Sequence, residues 1–242
     1  MIKPAVIDLS HHNIIPEGLK PAKDSGILGI IHKATEGVTY KDPTCAARLY
    51  LAKQAGMKFG TYHFMRPGDP GDQVAFYYDT VQSIQSQAGD SQDWLWACDF
   101  EADGISLDQV LSFMEQLEIV THQSPVLYSG HSLKDALKVK PDTRLSKYRL
   151  WLAQYASSPT LPVGWTKYFL WQYSDKGSVT GISPPTDVNA YDGNADTLLA
   201  EWSGTSAQPK PEPSDKLVKI GINAPTDVQI ELWLNDKVVY ES

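Results

Sequence analysis

Residues 94–101 read Trp94-Leu95-Trp96-Ala97-Cys98-Asp99-Phe100-Glu101. Five apolar residues in a row describe a strand buried on both faces, as in a parallel sheet covered by helices. Along a strand, side chains two apart share a face, with Cα atoms about 6.5–7 Å apart. Asp99 and Glu101 are therefore held side by side at the strand end. Their mutual repulsion raises the proton affinity of one of them. A carboxylic acid kept protonated near neutral pH is what a general acid needs. A solvated acidic loop would carry the same letters, since Asp103 follows, so the surrounding fold has to decide.

Outward from this strand the chain alternates short β-rich runs with amphipathic runs, the pattern of an α/β fold. Eight strands are predicted: Ala5–Leu9, Leu28–Lys33, Met57–Phe64, Trp94–Phe100, Pro125–Tyr128, Arg149–Tyr155, Tyr168–Tyr173 and Thr186–Ala190. Helices are best defined in the first half. Asp42-Pro43 offers an N-cap followed by a proline at the first helical position, and Gly56 ends that helix. A second runs from Gly71 to Gln87. Ser106 and Gln109 form a capping-box pattern that opens a third, to about His122. Ser132–Lys138 is a shorter one. Residues 156–167 and 174–185 contain Pro and Gly without a helical period. The expectation is an irregular TIM-like barrel of eight strands and about five helices, with loops between the late strands.

The chain has 242 residues, 21 basic and 29 acidic, for a net charge of -8. That length allows one closed barrel plus a small appendage. The acidic excess argues against a partner held by counterion release, so no nucleic acid is expected. The longest apolar runs, such as Ile27 to Ile31, are too short to span a bilayer, so stable membrane insertion is not expected either. Cys45 and Cys98 read as two reduced thiols. Met-Ile-Lys-Pro-Ala leads straight into a strand with no signal-peptide pattern. The expectation is a protein made in the cytoplasm that needs a separate release route if it acts outside.

After Trp202 the composition changes. Residues 203–216, SGTSAQPKPEPSDK, read as an extended linker. The tail, 217–242, alternates again: Val218, Ile220 and Ile222 share one strand face, then Val228, Ile230, Leu232 and Leu234. Asn235-Asp236 then offers a turn before Lys237–Tyr240. This three-stranded β meander is too small to bury a core alone. It is expected to dock on the barrel or to associate with a copy of itself. The domains are thus 1–202, 203–216 and 217–242.

In a barrel the C-terminal strand ends face one mouth. Asp8 ends the first predicted strand, Glu36 follows the second, and Tyr62 and His63 lie at the end of the third. Asp99 and Glu101 end the fourth and Tyr128 the fifth. Gln154 and Tyr155 end the sixth, Gln172 and Tyr173 the seventh, and Asp187 and Asn189 lie near the eighth. Rings that stack on sugar C–H faces, with carboxylates and amides for hydroxyls, suit a polysaccharide. Carboxylate pairs suit glycosidic cleavage. For any single ring, core packing explains it as well. His11-His12 lacks metal-ligand spacing and reads as a loop feature, and no HExxH or Cys-x-x-Cys is present. There is no Gly-x-Ser-x-Gly elbow, P-loop or GxGxxG. No metal or organic cofactor is implied.

Seven pieces then occur in one order: Val6-Ile7-Asp8-Leu9-Ser10 with His12-Asn13, Lys33-Ala34-Thr35-Glu36-Gly37, Gly60-Thr61-Tyr62-His63-Phe64, Asp99-Phe100-Glu101, Trp151-Leu152-Ala153-Gln154-Tyr155, Trp171-Gln172-Tyr173-Ser174 and Asp187-Val188-Asn189. Over about residues 3–200 the chain resembles the muramidases of glycoside hydrolase family 25, the Chalaropsis-type lysozymes common among phage endolysins and bacterial autolysins. The resemblance implies an irregular eight-stranded barrel. It also implies hydrolysis of the β-1,4 bond between N-acetylmuramic acid and N-acetylglucosamine in peptidoglycan, whose glycan strands would be the partner. By motif it implies Glu101 as general acid, Asp99 as its neighbour, and Asp8 and Asp187 as the other active-site carboxylates. Candidate substrate contacts are Glu36, Tyr62, Tyr128, Trp151, Gln154, Tyr155, Trp171 and Gln172. Pro184-Pro185-Thr186 before Asp187 departs from the family's small-residue and valine approach.

Two completions of the reaction stay open. A second carboxylate could activate water or attack carbon, or the substrate's own 2-acetamido oxygen could attack, with Asp99 steadying it. The Asp-x-Glu spacing suits the second. Two other functions remain: a non-catalytic wall-binding protein on the same fold, disfavoured by the intact carboxylate set, and a glycosidase for another N-acetylated glycan such as chitin. A phage lytic enzyme would leave the cytoplasm through holin-like lesions and act on the bacterial cell wall.

Overall fold

The computed structural model describes residues 2–89, 94–205, 231–234 and 237–241. Nine strands lie in one sheet: β1 (Val6–Leu9), β2 (Gly29–Glu36), β3 (Tyr40–Lys41), β4 (Lys58–Phe64), β5 (Leu95–Asp99), β6 (Val126–Ser129), β7 (Arg149–Ala153), β8 (Leu170–Gly177) and β9 (Thr186–Ala190). β1, β2, β4, β5, β6, β7 and β8 run parallel in that order. β9 pairs antiparallel with both β8 and β1 and closes an eight-stranded barrel. β3 only extends β2 as a two-residue antiparallel partner.

The helices are α1 (Lys20–Asp24), α2 (Cys45–Ala55), α3 (Pro70–Gln87), α4 (Leu107–Thr121), α5 (His131–Val139) and α6 (Ala195–Glu201). Their ends follow local chemistry. Asp69 caps α3 by accepting from the Asp72 N–H, with Pro70 at the first position. Ser106 and Gln109 cap α4 reciprocally. Gly56 ends α2 in the left-handed region at φ 64°. The α2 start differs from expectation: Thr44, not Asp42, is the N-cap residue. The Asp42 carboxylate accepts from the Thr44 N–H and hydroxyl instead, so it organises the turn before the helix. α1 and α6 were not predicted. α1 is only five residues long, and α6 sits beyond the last predicted strand although Asn194 and Thr197 form a capping box.

Strand alternation sorts the side chains into two cores. Ile7, Leu9, Trp96, Cys98, Leu127 and Leu152 face outward under the helices. Val6, Ile31, Leu95, Ala97, Val126, Tyr128 and Trp151 face inward and fill the barrel. Trp202 plugs the end at which β7 and β8 begin. Its indole N–H donates to the Phe59 carbonyl at 2.8 Å, and its ring lies where a Cβ at position 29 would come within 2.5 Å of it. Glycine at 29 is therefore a packing requirement. Arg149 closes the same end, donating to the Glu201, Trp202 and Ser124 carbonyls.

Residues Met1–Ser206 form one compact unit and Ala207–Ser242 a second. The second contains an antiparallel pair, β10 (Glu231–Leu234) and β11 (Lys237–Glu241). The expected first tail strand with Val218, Ile220 and Ile222, the positions Val228 and Ile230, most of the expected linker and the Asn235-Asp236 turn lie outside the described residues.

Candidate active site

Parity along β5 carries the carboxylates inward. Leu95 and Ala97 fill the barrel, so Asp99 and then Glu101 face its axis, while Trp96, Cys98 and Phe100 face the helices. Asp99 stands in register with Phe64 on one side and Tyr128 on the other. The same parity turns Asp8 inward at the end of β1.

Asp187 corrects the simple barrel expectation. It lies at the start of its strand, which in an all-parallel barrel would be the far end. Because β9 is antiparallel, its start meets the ends of the other strands, and Asp187 stands in register opposite Asp8. Directly opposed residues of an antiparallel pair have Cβ atoms about 4.5–5.5 Å apart. The four carboxylates Asp8, Asp99, Glu101 and Asp187 line one open cleft of about 260 Å³. Asp192 lines a different cavity.

A buried hydrogen-bond relay holds Asp8. The Gln172 amide N–H donates to both Asp8 oxygens at 3.1 and 3.0 Å, and Asn189 Nδ2 donates to Oδ2 at 2.8 Å. The other ends of these amides are also fixed. Tyr128 and Tyr155 hydroxyls donate to Gln172 Oε1 at 2.9 and 3.0 Å, and the Trp151 indole donates to Asn189 Oδ1 at 2.6 Å. Each amide can therefore present only its NH2 to Asp8.

The proton affinities of the four acids all rise. Burial lifts Asp8 to about 6, with Asn189 and Gln172 pulling it back down. Burial, then the Asp8 charge, lift Asp187 to about 8. Asp99 is pushed well above the ordinary carboxylate range, by burial and then by Glu101, and its Oδ1 is buried without a hydrogen-bond partner. Glu101 is raised by burial, against the lowering effect of His131. Such a cluster stores protons at neutral pH in a site open to a ligand.

Of the predicted substrate contacts, Tyr62, Tyr128, Trp151, Tyr155 and Gln172 line the cleft with the acids. Three do not. The β2–β4 register shifts between Lys33 and Thr35, and beyond it Glu36 is tied by Lys33 and by Arg66 in a neighbouring cavity. Gln154 follows β7 and accepts from Lys134 and from the Thr160 N–H at 3.0 Å. Trp171 alternates with inward Gln172, so it packs in the outer layer and donates to the Gln154 carbonyl at 2.7 Å. Lining residues outside the predicted contacts are Ser10, His12, Lys33 and Phe64. For Lys33, its inward parity with Ile31 was the available signal. His12 departs from the loop reading of His11-His12. His11 is indeed a loop anchor on Asp42 and Tyr40, but its neighbour reaches the cleft. Among the described residues no group of His, Cys, Asp and Glu is arranged to hold a metal ion.

Residues 7–182 match the model of glycosyl hydrolases family 25. The chain belongs to that family. It is 31% identical over 171 residues to the autolytic lysozyme of Clostridium acetobutylicum, covering 70% of this chain and 50% of that protein. The chain thus spans about half the length of that relative. The lysozyme structure from Streptomyces coelicolor superposes with a TM-score of 0.68 at 26% identity, covering 83% of this chain and 97% of that one. The CTP1L endolysin structure superposes with a TM-score of 0.63 at 26% identity, covering 77% and 65%.

Proposed function

We propose that the protein is a muramidase that hydrolyses the β-1,4 bond between N-acetylmuramic acid and N-acetylglucosamine in peptidoglycan. The observation that carries this is the placement of Asp99 and Glu101 on one inward strand face, opposite Asp8 and Asp187, in a cleft walled by Tyr62, Tyr128 and Trp151. The lysozymes named above support the substrate class.

Glu101 is the general acid. Burial raises its proton affinity, yet it is only partly buried, so it holds a proton more firmly than a free glutamate and can still reach a leaving oxygen. Asp99 is deeper, and burial and Glu101 raise its proton affinity. As a carboxylate it accepts from the 2-acetamido N–H, which orients the group and adds electron density to the oxygen that attacks the anomeric carbon, and its raised affinity lets it take on that proton as the N–H becomes acidic. In that step a C–O bond forms from the acetamido oxygen as the glycosidic C–O bond breaks, and the Glu101 proton goes to the leaving oxygen. Water then opens the ring intermediate with Glu101 as base. Asp8 and Asp187 share charge at the opposite wall, where positive character grows on the sugar ring. The aromatic walls orient the glycan.

The proposed role is that of a lytic enzyme of the endolysin kind, in keeping with the CTP1L neighbour. Among the described residues no helix is long and apolar enough to cross a membrane. Release through holin-like lesions is the proposed route to the wall. The division into a barrel at 1–202, a linker at 203–216 and a β appendage at 217–242 belongs to the same proposal. Its test is whether residues 1–205 alone fold and cleave.

Glu101→Gln tests the assignment. Removing a general acid should lower turnover about 10²- to 10⁴-fold with an unchanged circular dichroism spectrum. Near-normal turnover would move the acid elsewhere. A chitin-directed enzyme would cleave chitohexaose faster than peptidoglycan fragments of equal length, and this comparison separates the two glycan readings.

A further inference from the structure

A cavity lined by Tyr148, Trp165, Tyr168, Phe169 and Tyr191 lies at the other end of the barrel. It is formed where β7 and β8 begin and antiparallel β9 ends, beside the last turn of α6, and it measures about 370 Å³. The catalytic cleft measures about 260 Å³. Ligand pockets start at about 300 Å³. The five residues of β7 separate the two ends by about 15 Å at about 3.3 Å per residue.

Its rings are held in place. Tyr191 packs edge-on to Phe169 at 5.9 Å, and its hydroxyl donates to Glu201 at 3.1 Å. The Gly193 backbone presses on the Tyr191 ring so closely that a Cβ there would fall 2.4 Å from it. Trp165 is pinned through its indole N–H to the Tyr148 carbonyl at 3.0 Å. Tyr168 and Tyr191 are half-buried, so each leaves part of its ring open.

The charges on Lys147, Arg149 and Glu201 are already used. Lys147 pairs with Glu115, the Arg149 guanidinium lies over Phe169 and on three carbonyls, and Glu201 takes the Tyr191 hydroxyl. What stays available at the rim is the Tyr168 hydroxyl, exposed Asp192 and exposed Thr166 and Lys167. Asp192 is near enough to Tyr168 to raise its proton affinity, after burial. Fixed half-open rings with hydroxyl, carboxylate and ammonium groups at the edge suit a polyhydroxylated ring with an apolar face. A bare anion would find no unspent guanidinium, and an apolar peptide would strand the polar rim.

We propose that this cavity is a second glycan site, which binds a segment of N-acetylated β-1,4 glycan about a barrel's length from the bond being cut. It tethers the enzyme to an insoluble strand while the cleft works on another. The proposal rests on the glycan reading of the active site.

The test uses the full chain carrying Glu101→Gln, so that ligand survives. Chitohexaose is titrated while backbone amides are followed by NMR, and purified sacculi are used in sedimentation. Amides at 166–168 and 191–193 should shift in addition to those of the cleft. Tyr168→Ala and Asp192→Ala should each weaken sacculus binding, about five- to tenfold for the ring, as expected for a lost stacking contact. Thr166→Arg blocks the cavity from an exposed position without touching the packed rings, and should do the same. In the otherwise unaltered enzyme these changes should slow digestion of sacculi and leave cleavage of a short soluble oligosaccharide unchanged. If only cleft amides move and the three variants sediment like the parent, the second site is wrong and the active-site reading stands. If neither end responds to either glycan, both fall.

Discussion

Asp187→Asn should make the protein more stable at pH 8. Asp8 and Asp187 face each other in register, and folding raises them from 3.8 to about 6 and about 8. Between pH 4 and 8 the native state therefore holds protons that the unfolded chain has released, and this pair's contribution to stability falls as pH rises through that window. At about 1.4 kcal/mol per unit, the Asp8 shift corresponds to about 3 kcal/mol once it is ionised. The larger Asp187 shift is discounted by about half, because that side chain is partly exposed and water screens it. The Asp8 shift is due to burial, with Asp187 lowering it as a hydrogen-bond donor, while the Asp187 shift includes the Asp8 charge; the two are coupled, so they are not summed. Replacing Asp187 by its neutral isostere should then return about 2 kcal/mol at pH 8. At about 2–4 °C per kcal/mol for a domain of this size, Tm should rise by about 4–8 °C. Buried His32 and His63, lowered to about 4, destabilise the fold as pH falls below 6.5, but equally in both proteins. The assay is therefore the Tm difference between variant and parent at pH 8 and pH 5. It should be positive at pH 8 and shrink to less than half at pH 5. A variant no more stable than its parent at pH 8, or a gap independent of pH, would refute a native-state proton affinity of Asp187 raised by burial and by Asp8.

Three further outcomes follow from the packing and the relay. Gln172→Leu removes one of the two amides that donate to Asp8, leaving Asn189, and strands the Tyr128 and Tyr155 hydroxyls. The acid limb of the pH–rate profile should move upward from about 6 by about one unit, with a stability loss of about 1–3 kcal/mol; an unmoved limb would mean that Asp8 is not required ionised. Trp202→Ala empties the closed end of the barrel and should cost about 3–5 kcal/mol, lowering Tm by roughly 10 °C while the pH–rate profile keeps its shape; a shifted profile would show that the plug reaches the active site. Residues 1–205, with the barrel core complete, should retain cleavage of soluble oligosaccharide, measured against the full chain; an inactive fragment with native circular dichroism would place part of the site in the tail.

The inward row on β5 was readable because its period of two runs unbroken from Leu95 to Glu101. The same holds for Asp8 and for the rings at 62, 128 and 151. Strand direction was not readable. Nothing in Thr186–Ala190 states that it runs antiparallel; that follows from pairing with β1 and β8, and it alone brings Asp187 to the cleft. Trp171 and Gln172 show the limit of reading by motif. Neighbours on one strand must point apart, so only one of them can enter the barrel. Glu36 is drawn away by its ion pairs with Lys33 and Arg66 beside a neighbouring cavity, partners that one-dimensional spacing does not reveal. The role of Trp202 as a plug depends on the space left by Gly29, a long-range contact with no local mark.

Digestion of purified peptidoglycan, with the products analysed by reducing-end labelling and mass spectrometry, tests the muramidase assignment at its root. The protein should create new reducing N-acetylmuramic acid ends, and Glu101→Gln should not. New reducing ends on N-acetylglucosamine, or free amines without any new reducing ends, would contradict it.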